Sequence, residues 1–202
     1  SSKDAPAVTA VNDVDLEITA GEVCGIIGYS GAGKSTVFKL IMGVESPTRG
    51  DVWFDGEKIS GLRPWKRVRK GMSIKMQIPN VYPELSVYDN MRVAAQHHIE
   101  RSQIDAEIHR LLETVNLSSH VNRAAKELSH GQQQWLEIGM ALSLRPKLLL
   151  LDEPLVGQDD DRIRELLAIL YGHAAAGGAV LLVCHEVALV SRFDRILFLE
   201  EG

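Results

Sequence analysis

Residues 28–36 read Gly28-Tyr29-Ser30-Gly31-Ala32-Gly33-Lys34-Ser35-Thr36, and the flanks decide how that string folds. Before it runs Val23-Cys24-Gly25-Ile26-Ile27, an apolar, strand-like stretch. Thr36-Val37-Phe38-Lys39-Leu40-Ile41, a helix-like stretch, follows. Strand, glycine-rich loop and helix together are the setting of a phosphate-binding P-loop. Glycines let backbone N–H groups turn inward around phosphate oxygens, and the helix N-terminus adds a positive dipole end. Lys34 is then placed to reach the β- and γ-phosphates and Ser35 to ligate Mg²⁺. A glycine-rich turn that binds nothing would not require all three parts to agree.

The 202 residues suit one domain, or one domain with a subdomain. With 45% hydrophobic and 24% charged residues, the composition is that of an ordinary soluble chain with a sizeable core. A net charge of −5 argues against a broad nucleic-acid surface. The local basic stretch Arg63, Lys66, Arg67, Arg69 and Lys70 reads as a solvated face. Cys24 and Cys184 each sit in an apolar run, as buried small hydrophobes in a reducing, cytosolic setting. No apolar run approaches the ~20 residues of a membrane-spanning helix, and no leader segment is expected. Any work at a membrane therefore requires another chain to supply the spans.

Val14, Leu16 and Ile18 alternate with Asp15, Glu17 and Thr19, the period of a half-buried strand. Val52-Trp53-Phe54 before Asp55-Gly56 reads as a strand entering a turn. Lys147–Leu151, Ala179–Cys184 and Arg195–Leu199 are continuous apolar runs, as in a parallel sheet covered on both faces. The middle of the chain is helical in pattern: Ile104, Ile108, Leu111, Leu112 and Val115 share one spacing. A second helix spans about 132–144, with Leu136, Gly139, Met140 and Ser143 on one face, and ends at Arg145-Pro146. A third spans 162–171, with Ile163, Leu166, Leu167 and Leu170 as its stripe; 174–178 is a loop. The fold expected is α/β: a P-loop NTPase core with a mostly parallel sheet, flanking helices and an antiparallel N-terminal β part. Residues 1–202 form a single domain, with 1–77 and 146–202 as the core and 78–145 as an inserted helical subdomain.

Lys147-Leu-Leu-Leu-Leu-Asp-Glu-Pro154 is a buried strand ending in two acids, and such a strand tip lies at the ligand crevice. Asp152 would hold Mg²⁺, directly or through water; Glu153 would orient or deprotonate an attacking water. Leu128-Ser129-His130-Gly131-Gln132 opens a helix with Ser129 as N-cap, which makes a second anion site of hydroxyl, backbone N–H groups and dipole end. Most such caps are only caps.

P-loop, Gln77, Leu-Ser-His-Gly-Gln, Leu-Leu-Leu-Leu-Asp-Glu-Pro and His185 occur in the order of an ABC-type ATPase, and the chain resembles that family over essentially its whole length. The resemblance implies ATP and Mg²⁺ as ligands of Gly28, Tyr29, Ser30, Gly31, Ala32, Gly33, Lys34, Ser35 and Thr36. It implies that Ser129, Gly131 and Gln132 cap the ATP of a second ATPase subunit, identical or closely paralogous, so that two chains close head-to-tail over two nucleotides. It makes Gln77 the Q-loop glutamine, reaching Mg²⁺ and the attacking water, and His185 the switch histidine at the γ-phosphate. Glu153 becomes the catalytic carboxylate, and Glu153→Gln is expected to trap an ATP-bound dimer. Asp159 resembles the D-loop aspartate. Its segment departs from the usual Ser-Ala-Leu-Asp or Ala-Gly-Leu-Asp, which leaves its register against Asp160 and Asp161 open. The aromatic ring that usually stacks on adenine is missing from Ala5-Pro6-Ala7-Val8, and relatives continue beyond Glu200-Glu201-Gly202; a trimmed or divergent form of the domain is expected.

Exporters carry a Glu-x-Gly segment before the signature stretch, here Leu128–Gln132 at the start of its helix, whereas this chain has His120-Val-Asn-Arg-Ala-Ala-Lys-Glu127 and no fused membrane region. An importer-type subunit follows, on the cytoplasmic face of the membrane, coupled to separate permease chains. Residues 77–90 and 128–139 resemble ATPases of branched-chain amino-acid and urea importers. Ile78, Pro79, Val81, Tyr82 and Leu85 form an apolar cluster that is either a permease groove or part of the helical core. Two rivals are weaker. A soluble mechanical ATPase of nucleic acid or the ribosome would carry a coiled coil or tandem cassettes, and a nucleotide sensor would be expected to lose Glu153 or His185.

Overall fold

The structure, a computed structural model, describes residues 10–75, 80–96, 99–185 and 187–200. Five parallel strands make the central sheet: β1 (Val23–Gly28), β4 (Met72–Lys75), β5 (Leu148–Asp152), β6 (Ala179–Val183) and β7 (Arg195–Leu199). Their order across the sheet is β4-β5-β6-β1-β7. A two-stranded antiparallel hairpin, β2 (Trp53–Phe54) and β3 (Glu57–Lys58), lies apart from it. Among the described residues six α-helices surround these strands: α1 (Lys34–Met42), α2 (Pro64–Arg69), α3 (Val87–Ala95), α4 (Ile104–Thr114), α5 (His130–Ser143) and α6 (Asp160–Ala175).

The apolar runs are unbroken because both faces of the sheet are covered. Alternate residues of a strand point to opposite faces. Val180 and Leu182 of β6 join a core with α3, α4, α5 and α6, while Ala179, Leu181 and Val183 join a second core with Val37, Phe38 and Met42 of α1. Cys24 and Cys184 are buried free thiols, one in each core, and burial pushes the Cys24 thiol up to about 11. In α3–α5 the buried positions Met91, Ile108, Leu112, Leu136 and Ile138 face one another across a common interior. α3 starts at Ser86, whose hydroxyl accepts from the Asp89 N–H.

Three expectations are corrected. Residues 14–18 are not assigned to a strand: Leu16 and Ile18 pack against the α1-side core and Val14 is exposed, and among the described residues no neighbour pairs with their backbone in a sheet. Alternation reports a half-buried extended segment, and only a partner makes it a strand. Arg67 is not on a solvated face. It is fully buried, and its guanidinium donates to the carbonyls of Leu40 and Ile41 at the C-terminus of α1 and to those of Ser60 and Leu62. Arg63, Lys66 and Arg69 are exposed as expected. Finally, α6 runs on through Ala174 and Ala175, so the loop into β6 is shorter than 174–178. β4, α2 and α3 are elements that no strong periodicity announces.

Candidate nucleotide-binding site

β1, β6 and β5 are neighbours in that order, and their C-terminal ends carry the P-loop, His185 and the Asp152-Glu153 pair. Ligand sites of open α/β sheets lie at such carboxyl ends. β1 stops at Gly28, and the chain turns through Gly31 at φ 88° and Gly33 at φ 92°, a region open to glycine at little cost. Gly33 is the N-cap of α1 and has no side-chain cap; a Cβ there would come within 2.3 Å of the Ala10 carbonyl oxygen. The first N–H groups of α1 are therefore left to an outside acceptor.

Lys34 is buried and folds back over the loop, its Nζ donating to the carbonyls of Gly28 at 2.6 Å and Tyr29 at 2.8 Å. Burial draws its pKa down, and the carboxylates of Glu153 and Asp152 oppose that shift. Tyr29, Ser30, Gly31 and Ser35 are exposed, Ala32 is buried, and Thr36 is half-buried. Tyr29 stands edge-on to Phe198 with ring centroids 6.1 Å apart.

Asp152 is buried at the tip of β5, and its carboxyl is raised above the usual range, first by burial and then by Glu153 beside it. Lys75, His185 and Lys34 pull the other way. Glu153 adopts φ 50°, a strained backbone for a residue with a side chain, of the kind concentrated at functional sites. Its Oε1 lies 2.6 Å from His185 Nε2. Two of the three residues read as catalytic from the sequence, Glu153 and His185, are thus in direct contact, although 32 residues apart in the chain.

Ser129 is exposed and caps α5 with a complete capping box. Its hydroxyl accepts from the Gln132 N–H at 3.2 Å, and Gln132 Oε1 accepts from the Ser129 N–H at 2.9 Å. Gln132 Nε2 also lies 3.1 Å from His120 Nε2. Among the described residues no hydrogen bond joins Ser129, Gly131 or Gln132 to the P-loop. Asp159 is the N-cap of α6 and accepts from the Arg162 N–H at 2.9 Å, while Gln158 beside it donates to Gln134 of α5 at 3.1 Å. Gln77, with Ile78 and Pro79, lies outside the described residues, as do Ala5-Pro6-Ala7-Val8 and Glu201-Gly202.

Sequence reasoning passed over Lys75, Asn90 and Glu137. Asn90 is fully buried: its Oδ1 accepts from the Tyr82 N–H, and its Nδ2 donates to the carbonyls of Tyr82, Leu85 and Ser86. A charged residue inside an apolar strand or on the inner stripe of a helix is the signal that marks Lys75 and Glu137.

An open helix N-terminus with a buried lysine, facing an acid pair and a histidine on adjacent strand tips, defines a P-loop ATPase. Residues 11–156 match the family model described as ABC transporter. The chain belongs to that family and is an ATPase of the ATP-binding-cassette type. It is 35% identical to the high-affinity branched-chain amino acid transport ATP-binding protein BraF of Pseudomonas aeruginosa, across 96% of this chain and 83% of that one. It is 34% identical to the alpha-glucoside transport ATP-binding protein AglK of Rhizobium meliloti, across 97% of this chain and 54% of that longer protein. A solved ATP-binding cassette, in a dimeric post-hydrolysis state bound to ADP and Pi, superposes with a TM-score of 0.87 at 25% identity, covering 99% of this chain and 92% of that one.

Proposed function

We propose that this chain powers import by closing head-to-tail with a second copy on two ATP molecules, Ser129, Gly131 and Gln132 of each copy facing the nucleotide held by the other. The observation that carries this is the contrast between an uncapped α1 and an exposed, capped α5 that makes no hydrogen bond to the P-loop of its own chain among the described residues. A helix end of that kind, set apart from the P-loop of its own chain, is explained by a nucleotide held in the P-loop of a neighbour. The dimeric cassette bound to ADP and Pi supports the pairing of two copies.

Lys34 exchanges the Gly28 and Tyr29 carbonyls for phosphate oxygens, a better partner for a desolvated ammonium. Glu153 accepts a proton from water as the water attacks the γ-phosphorus and the bond to the β-phosphate oxygen breaks, leaving ADP and phosphate. His185, already at Glu153, holds that carboxylate and turns to the γ-phosphate when nucleotide arrives. Mg²⁺ fits the donors present, since the Ser35 hydroxyl and the buried Asp152 carboxylate are hard oxygens and a cation relieves the burial of that acid; when bound it neutralises phosphate charge. Gln77 and the D-loop Asp159 are assigned to this site on the sequence.

Residues 78–145 form, on this reading, the helical subdomain that meets the permease. Tyr82 is 52% exposed and Leu85 is exposed, with Val81 half-buried between them, and Asn90 holds this loop in shape. Among the described residues no helix is long and apolar enough to cross a membrane, so separate permease chains are assigned that role, with this chain peripheral on the cytoplasmic side. Branched-chain amino acids or urea are the proposed cargo class, supported by the similarity to BraF.

Mixing two inactive variants tests the arrangement. Ser129→Ala lacks the donated half-site and Lys34→Ala lacks the accepting half. A mixed dimer contains one site with both halves intact, so mixing is expected to restore up to about a quarter of the wild-type ATPase rate, as a random mix of pairs gives. No recovery on mixing, with both variants folded, would end the head-to-tail proposal.

A further inference from the structure

β4 ends on Lys75, whose side chain is completely buried. Its ammonium lies 3.9 Å from Oε2 of Glu137, an α5 residue with an 8% exposed side chain, two turns beyond Ser129. The other oxygen of Glu137 accepts from the Asn80 N–H at 3.2 Å. Lys75 and Asn80 flank, in sequence, the segment that contains Gln77. On the sheet side, Lys75 pairs in register with Leu151, one residue before Asp152. Burial draws the Lys75 pKa down, and Glu137, then Asp152 and Glu153, oppose that shift, while the charge of Lys75 in turn favours the Asp152 carboxylate. One buried carboxylate thus ties the signature helix to the strand beside the hydrolytic acids and to the chain returning from Gln77.

Stability alone gives no reason for these charges. A buried ion pair pays heavy desolvation, and an apolar pair of similar volume commonly holds a fold as well or better. What the pair supplies is register: a methionine against a leucine slides, whereas a carboxylate shared between an ammonium and a backbone N–H has one geometry. Resting on the function proposed above, we infer that Lys75 and Glu137 are positioning residues, a strut that fixes the signature helix against the acid pair so that closure of the partner on Ser129 and Gly131 reaches Asp152 and Glu153 of the same subunit. Neither residue is assigned a contact with nucleotide.

The double variant Lys75→Met/Glu137→Leu separates register from stability. Its Tm is expected to equal or exceed that of the wild type, and its ATP affinity to stay within about twofold, since the P-loop is untouched. Its kcat should fall about tenfold or more, and in a Glu153→Gln background the ATP concentration that half-saturates dimer formation should rise about fivefold or more. A folded double variant that turns over within about twofold of wild type shows a purely structural pair and overturns the strut. If the double variant does not fold, Glu137→Gln decides instead, because it keeps an acceptor for Asn80 and removes only the charge. Measured well below its own Tm, a loss of about tenfold in kcat supports the strut, and an unchanged kcat overturns it. Failure of the functional proposal shows elsewhere: wild-type protein that neither hydrolyses ATP nor dimerises on it fails before any variant is made.

Discussion

α1 and α5 begin alike and are finished differently. Each makes its first helical bond to the N-cap carbonyl, Val37 N–H to Gly33 and Gln133 N–H to Ser129, both at 2.9 Å. The N-terminus of α1 has a glycine that supplies no side-chain oxygen, and its nearest cation is spent on loop carbonyls. That of α5 has a serine and a glutamine that satisfy two donors reciprocally. An unsatisfied terminus at the bottom of a crevice is unstable without its ligand and binds alone; a satisfied terminus on the surface is stable alone and adds its remaining donors only when a partner arrives. On the function proposed above, the same backbone geometry serves as a binding site in one place and a docking face in the other. The far end of α1 sharpens the contrast, for there Arg67 closes the last carbonyls from inside the protein.

The comparison breaks hardest at Arg67. Arg67→Met removes one buried cation and leaves four carbonyls without that donor, at a cost of about 3–5 kcal/mol, which thermal unfolding should register as a Tm lower by roughly 10 °C. Gly33→Ala tests whether the open end of α1 depends on glycine. A side chain at that φ costs about 1–2 kcal/mol before the collision with Ala10, so nucleotide titration should show ATP affinity weakened about tenfold or more. Ser129→Ala should behave in the opposite way, with ATP binding to the single chain unchanged, α5 weakened by ~1 kcal/mol, and the main loss seen in ATP-driven dimerisation. An equal loss of nucleotide binding in the isolated chain would erase the distinction between the two helix ends.

His173→Leu, away from both ends, is the smallest change and serves as a reference. Burial lowers the His173 pKa, so on acidification the unfolded chain takes up a proton that the native ring resists. Stability from this source is complete above the ordinary histidine pKa of about 6.5 and is lost as pH falls below it. Replacing His173 should flatten that part of the Tm–pH profile while leaving the ATPase rate at neutral pH unchanged.

Much of the site was written locally. Gly28–Thr36, Ser129–Gln132 and Asp152–Glu153 are contiguous strings whose chemistry depends on a few neighbouring residues, so the strand, loop and helix around each could be read from periodicity and capping. Residues 14–18 show where local reading stops, because their alternation is real and no strand pairs with them among the described residues. Arg67 shows the same limit for charge: in the sequence it is one of five basic residues, and only the arrival of α1 and the Ser60–Leu62 turn around it makes it an internal cap.

By itself the chain's order of residues determined the nucleotide chemistry, since phosphate recognition needs consecutive backbone N–H groups and these lie next to one another in sequence. Tertiary structure alone decided which distant side chains meet. His185 reaches Glu153 because β5 and β6 are neighbours, and Lys75 reaches Glu137 because α5 crosses the end of β4. Contacts across tens of residues are set by sheet order and helix packing, which the burial of apolar faces fixes and no short string of residues encodes.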